Sequence, residues 1–186
     1  MLILSCDTST LLGSTAVIKD NVVLYQQEQF RQGSHSDTLN ILIKNCLDNT
    51  GLQLNDIDTF VTGIGPGSFT GIRISLNTIK TFGYLFNKPV FGVNSLAVLA
   101  YQVFLQKPTL AKTVTPMINA YKNMVYTAQY KFSYDANLKL NIFVEVQPPQ
   151  VIRVQNLDQF IQSNTVIVGD GFSAYEKYFN PTLLNF

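Results

Sequence analysis

The chain has 186 residues, enough for one domain or two small ones with a sizeable core, and its net charge is +1. With 13% charged residues there is no basic surplus of the kind that lets a chain bind nucleic acid by itself. Cys6 and Cys46 form no CxxC pair or disulfide framework, which suits a reducing compartment, and no apolar run reaches the length of a membrane span.

Leu2 to Cys6 reads as a buried strand ending in the polar turn Asp7-Thr8-Ser9-Thr10. Leu2-Ile3-Leu4 is too short for a signal-peptide core and lacks a basic flank, so a soluble cytoplasmic protein is expected. Ser14 to Lys19 and Val22 to Gln29 form two strands about Asp20-Asn21, a hairpin signal. Asp7, Thr8 and Ser9 therefore stand where the first strand turns back into the second. A carboxylate and two hydroxyls at a strand end can hold a metal or a phosphate. More often they satisfy the amides of their own turn.

Ser34-His35-Ser36-Asp37 opens a helix, with Ser34 or Ser36 as cap and Asp37 near its positive end. Leu39, Leu42, Ile43, Cys46 and Leu47 follow at helical spacing, Ile41 projects from the opposite side, and Gly51 closes the element. His35 is the single histidine, which leaves little for a zinc site or a Ser-His-Asp triad. It reads as a capping or interface residue.

The stretch Gly63-Ile64-Gly65-Pro66-Gly67-Ser68-Phe69-Thr70-Gly71-Ile72-Arg73 joins a short apolar strand, Phe60 to Ile64, to a helix reaching Phe86. Ser68 or Thr70 can cap that helix, so several N–H groups would point out of one nest suited to an anion. A rigid corner serving only the fold has the same composition. No Lys-Ser/Thr pair follows Gly71, and the third glycine comes too late for a dinucleotide fingerprint. Within the helix, Ile72, Leu76, Ile79, Gly83 and Phe86 share one face and Ile74, Phe82 and Leu85 a second. Arg73, Asn77, Lys80 and Tyr84 fill a polar strip between them. Two apolar stripes on one helix imply deep burial or a protein partner, and the polar strip favours the partner.

Val90 to Val93 is the next strand, and Asn94-Ser95 caps a helix carrying Leu96, Val98, Leu99, Val103 and Phe104. Lys107-Pro108-Thr109 breaks the pattern, giving lobes of residues 1–106 and 107–186. Strands follow at Val114 to Ile118, Val125 to Phe132 and Ile142 to Val146, then a turn at Pro148-Pro149. A short helix at Asn156 to Ile161, a strand at Thr165 to Val168, and the Gly169-Asp170-Gly171 turn into a last helix complete the order.

This order is that of an α/β, actin/Hsp70/sugar-kinase-like (ribonuclease H-like) two-lobe fold with a shortened second lobe. In such folds the Asp-Thr-Ser turn and a later glycine turn face a nucleotide between the lobes. The residues allow a closer match. Ile3 to Thr10, His35-Ser36-Asp37, Gly65 to Arg73 and Gly92-Val93-Asn94-Ser95-Leu96 occur in that sequence, and together they resemble the TsaB (YeaZ) family. The likeness covers the first hundred residues well.

The resemblance implies a role in making threonylcarbamoyladenosine at position 37 of tRNAs that read ANN codons. The catalytic TsaD/Kae1 paralogue carries a His-x-x-x-His metal pair in a Gly-Val-Asn-His-Leu-Glu-Gly-His stretch, where this chain has Ser95 and Leu99. It thus implies a non-catalytic subunit, with no metal and no cofactor of its own, that binds and activates the catalytic one. The family pairs through the helices beginning near His35 and Thr70. That implies a partner interface of His35, Leu39, Ile41, Leu42, Thr70, Arg73, Ile74, Asn77 and Leu85. Further implications are an ATPase subunit docking on the complex, a homodimer of the isolated chain, and only indirect contact with tRNA. ADP or ATP at the heterodimer interface would meet Asp7, Thr8, Ser9, Gly65, Gly67, Ser68 and Gly71.

Two departures from the family pattern stand out. Asn119-Ala120-Tyr121 occupies the frame of an Asp-Ala-Arg, and the chain stops at Phe186, where relatives usually continue. The competing reading is a small-molecule kinase using Asp7 and the glycine turn. A peptidase finds no metal pair and no nucleophile elbow here.

Overall fold

Asp20 and Asn21 adopt φ of +48° and +67°, the left-handed pair that a two-residue hairpin turn demands and that Asp and Asn tolerate. They join β2 (Leu12–Lys19) to β3 (Val22–Phe30). With β1 (Leu2–Asp7), β4 (Thr59–Gly63) and β5 (Val90–Val93) these strands make a five-stranded sheet in the order β3-β2-β1-β4-β5. β2 runs antiparallel to its neighbours, whereas β1, β4 and β5 are parallel. Parallel neighbours need a crossover, and the sequence supplies helices for it: α1 (His35–Thr50) before β4 and α2 (Phe69–Phe86) before β5. The computed structural model describes residues 1–30, 35–106, 113–135, 140–161 and 165–179.

Leu39, Ile43, Cys46 and Leu47 of α1 and Ile79 of α2 meet Leu4, Cys6, Val17 and Phe60 of the sheet in one core. Phe60 has no exposed surface, and the rings of Phe82 and Phe86 lie 5.7 and 6.5 Å from it. Burial of such side chains is worth about 1.5–3 kcal/mol each. Leu39 and Leu42, read as interface residues, are each 1% exposed and belong inside. The periodicity marked an apolar stripe correctly, but the stripe faces the sheet; Ile41 is the exposed leucine-like residue of α1.

The helix α2 differs from expectation in a similar way. Its buried stripe is Gly71, Ser75, Ile79 and Gly83, and the three small residues among them let the helix lie close to the sheet. A Cβ on Gly83 would run into the side chain of Val90. Ile74 and Phe82, assigned to an outward stripe, pack against the core instead. The surface that remains is Phe69, Thr70, Arg73, Asn77, Lys80, Thr81, Tyr84 and Leu85.

The second unit, Leu96–Phe186, has its own sheet and core. It comprises α3 (Ser95–Gln106, from Leu96 on), β6 (Thr113–Tyr121), β7 (Met124–Asp135), β8 (Leu140–Arg153), α4 (Leu157–Phe160), β9 (Thr165–Val168) and α5 (Asp170–Tyr175). The strand order is β8-β7-β6-β9, with only β9 parallel to its neighbour. Leu96, Ala100 and Phe104 of α3 pack with Val114, Ile118, Ala128 and Tyr130. The division of the chain therefore falls after Ser95, earlier than the break read at Lys107-Pro108-Thr109, which lies outside the described residues. Pro148-Pro149 is no turn: β8 continues through it at a register irregularity opposite Gln129, on an edge strand whose outward N–H groups need no ladder partner. Asn119 fills its frame without ion pairing. Its Oδ1 accepts from Tyr121 N at 2.8 Å and from Tyr175 Oη at 3.2 Å, while its own N–H donates to Asp170 at 3.1 Å.

Two sheets of this order, one mostly parallel with a single antiparallel strand, give the α/β, actin/Hsp70/sugar-kinase-like class expected from the sequence. Among the described residues no helix is long and apolar enough to cross a membrane.

Burial pushes the Cys6 thiol up to about 12 from its usual 9, and burial with the charge of Glu145 pushes the Tyr130 phenol up to about 12 from its usual 10. In both cases the fold keeps a proton that the unfolded chain releases first. Stability is therefore complete below about pH 9 and falls as pH rises from there toward 12. Tyr130→Phe should flatten part of that fall in denaturant titrations. It should cost nothing at neutral pH, since the buried hydroxyl has no hydrogen-bond partner among the described residues. A neutral-pH loss of stability in this variant would contradict the assignment.

Candidate functional site

Parallel strands in such sheets present their C-terminal ends to ligands, and β1, β4 and β5 end side by side. The turns leaving them carry Asp7-Thr8-Ser9, the glycine stretch and Ser95. Asp7 is the link between these turns. Its Oδ1 accepts from Ser9 N at 2.6 Å and its Oδ2 from Ser95 Oγ at 2.8 Å. The carboxylate lies over Gly63, where any Cβ would occupy the same space. Thr8 Oγ1 donates to the Gly71 carbonyl at 2.6 Å, and Ser68 N donates to the Ser9 carbonyl at 2.6 Å. Ser95 N closes the set on the Gly65 carbonyl at 2.9 Å.

The structure thus brings together the residues read as a phosphate cradle, but turns them on one another. Gly65 sits at φ +81° beside a cis Pro66. Ser68 caps α2, its Oγ accepting from Gly71 N at 3.2 Å, so that early helix amide is satisfied from within. Gly67 and Gly71 abut the carbonyl oxygens of Ser9 and Thr8, and those oxygens would repel an anion. The arrangement ties three strand ends together. Thr8, Ser9 and Ser95 are all buried.

The metal pair of the catalytic paralogues does not fit here. Ser95 offers a hydroxyl already donated to Asp7, and Leu99 has no lone pair and packs against the core of the second unit. Among the described residues no cluster of three metal-ligating side chains occurs.

The other candidate surface is the outer face of α2. Phe69, Tyr84 and Leu85 are 74, 88 and 65% exposed, large apolar area for three residues of one helix. The Arg73 guanidinium lies over the Phe69 ring at 5.2 Å from its centroid. Of the interface residues read from the sequence, Ile41, Thr70, Arg73, Asn77 and Leu85 lie outward and Ile74 is half-buried. The side chain of His35 lies outside the described residues. Phe69 and Tyr84 share this surface but were not among those residues, Tyr84 being read only as part of the polar strip. Their signal was present in the sequence, for each stands one turn along the polar strip, four residues before Arg73 and four after Lys80. Beside this face, α1 and α2 flank an open groove of about 490 Å³ lined by Ile43, Leu47, Leu52, Phe82 and Phe86, with the Lys44–Asp48 ion pair at its edge.

A family model described as TsaD, tRNA N6-adenosine threonylcarbamoyltransferase, matches residues 26–168. The tRNA threonylcarbamoyladenosine biosynthesis protein TsaB of Haemophilus influenzae is 28% identical over 97% of this chain and 77% of its own length. TsaB of Escherichia coli strain K12 is 27% identical over 94% of this chain and 74% of its own length. YeaZ from Pseudomonas aeruginosa, a solved structure, superposes with a TM-score of 0.79 at 23% identity, covering 97% of this chain and 82% of that one. That likeness establishes a shared fold. With most of its length matched, the chain belongs to the TsaD family of tRNA N6-adenosine threonylcarbamoyltransferases, on its TsaB (YeaZ) branch.

Proposed function

We propose that this chain takes part in tRNA threonylcarbamoyladenosine synthesis as a non-catalytic subunit. In this reading it binds and activates the catalytic threonylcarbamoyltransferase that modifies ANN-decoding tRNAs. The carrying observation is the state of the strand-end site. Where the catalytic members place two metal ligands, this chain has a serine bonded to Asp7 and a leucine packed against a core. The names of the Haemophilus influenzae and Escherichia coli relatives, both biosynthesis proteins of this modification, support the pathway. An ATPase subunit would join the assembly once the pair has formed, and the low net charge leaves tRNA binding to other components.

The test is co-purification with the catalytic subunit, followed by measurement of the modified nucleoside with and without this chain. Modification that proceeds equally well without it would overturn the reading. Leu85→Glu should weaken pairing at least tenfold, because it puts a charge into an apolar contact, while leaving thermal stability unchanged. Leu85 is the appropriate position because Ile74, which touches the core, would confound folding with binding. Unaltered affinity in a calorimetric titration of Leu85→Glu would remove α2 from the interface.

A further inference from the structure

The two rims of the first sheet are built differently. β5, at one side, is four residues long, and an edge so short offers little to a further strand. β3, at the other, runs nine residues, contains no proline, lysine or arginine, and carries Glu28 as its one charge. Ile18 pairs with Val23 and Val17 with Tyr25, so Leu24 is an extra residue that bulges the strand near its hairpin turn. From Tyr25 to Phe30 the register on β2 is unbroken. Every second residue of that stretch turns its N–H and C=O away from β2, and among the described residues no backbone bond from outside the sheet reaches them.

The side chains alternate along this rim. Tyr25 packs against the first core, and the Oε1 of Gln27 accepts from Asn45 Nδ2 of α1 at 3.2 Å. α1 therefore braces the strand from one face. The other face presents Gln26, Glu28 and Phe30, all exposed. Phe30 pairs across the strands with Leu12, and the two are 63 and 41% exposed. Glu28 stands opposite Ser14 and has no ion-pair partner among the described residues; Lys44 of α1 is held by Asp48. Arg31 and the side chain of Asp37 lie outside the described residues.

We propose that β3 from Tyr25 to Phe30 accepts an extended segment of a partner protein, which adds to the sheet as a sixth strand. Main-chain hydrogen bonds to the outward N–H and C=O groups supply the affinity, and the pleat sets which side chains the segment carries. Beside Phe30 and Leu12 it places an apolar residue, and beside Glu28 a lysine or arginine. A helix has its main-chain groups spent internally, and RNA meets a carboxylate here and no cation. An extended polypeptide is the occupant that fits. The inference stands apart from the function proposed above, which rests on the strand-end site and α2.

The test titrates the full, isotopically labelled chain with a short peptide alternating valine and lysine, read by amide NMR at low salt. Shift changes and slowed amide exchange should be confined to Tyr25–Phe30 and the residues of β2 paired with them. The same peptide methylated on every backbone nitrogen should bind at least tenfold more weakly, because it has no donors left for the rim. A valine–glutamate peptide should bind about threefold more weakly than the lysine one, and Glu28→Lys should reverse that order. Glu28 is exposed, so this variant should keep the parent's thermal stability, and the methylated peptide probes the rim without any variant.

Shift changes centred on α1 or α2, equal binding of the methylated peptide, or an unreversed order in Glu28→Lys would each overturn the proposal. So would a dimer of the unaltered chain whose protected amides are those of Tyr25–Phe30, since it assigns the rim to a second copy. None of these results touches pairing through α2, so the function proposed above is tested separately by Leu85→Glu.

Discussion

Gly71→Ala should destabilise the first unit by about 3 kcal/mol or more and lower its unfolding temperature by roughly 10 °C or more. The sign is diagnostic, because alanine in place of glycine within a helix ordinarily stabilises by about 1 kcal/mol. Gly71 is an α2 residue of the first turn with its amide already bonded to the Ser68 cap. A Cβ there would overlap the carbonyl oxygen of Thr8, a backbone atom that cannot swing aside as a side-chain end could. Relief requires α2 to lift from the β1 turn, which breaks the hydrogen bond from Thr8 Oγ1 to the Gly71 carbonyl and the one from Ser68 N to the Ser9 carbonyl. Calorimetry and circular dichroism suffice to measure it. A Gly71→Ala protein as stable as the parent would show that the glycine stretch is not held against the β1 turn.

Asp7→Ala should cost about 2–4 kcal/mol, because it strands the Ser9 amide and the Ser95 hydroxyl in a site where both residues are buried. Asp7→Asn keeps an oxygen for one of them, and the serine hydroxyl can rotate to accept from the amide, so about half of that loss should return. A carboxylate needed for chemistry behaves differently: Asn would then abolish turnover as thoroughly as Ala, with stability intact. Ser95→Ala supplies the second edge of a double-mutant cycle, in which the Asp7–Ser95 coupling should be about 1 kcal/mol. Additive effects in that cycle would dismiss the link.

Much of the first unit was legible because its signals are local. Asp20-Asn21 gave the hairpin, Val90 to Val93 gave β5 with both ends, and strand, glycine turn and helix followed one another around Gly65 to Gly71 as read. The facing of helices was less accessible. Leu39 and Leu42 showed the right period, but a period does not say which stripe meets a sheet and which meets a partner. On α2 the buried stripe is built from Gly71, Ser75 and Gly83, which hydrophobicity undervalues because these residues work by being small. The Asp7–Ser95 bond joins positions 88 residues apart, beyond any spacing rule. The domain division depended on whether Leu96, Ala100 and Phe104 would find their core before or after them in the chain, and only the packing decides that.

The continuation of β8 through Pro148 and Pro149 bears on how the protein behaves at high concentration. A fourteen-residue strand on the rim of a sheet is long enough to template growth by addition of a strand from another molecule. Two consecutive prolines remove two backbone donors from that strand, one of them from its outer side, and the register shifts around Gln129 on β7 bend the ladder at the same place. Extension of the sheet by a strand from another molecule is therefore interrupted along the β8 edge.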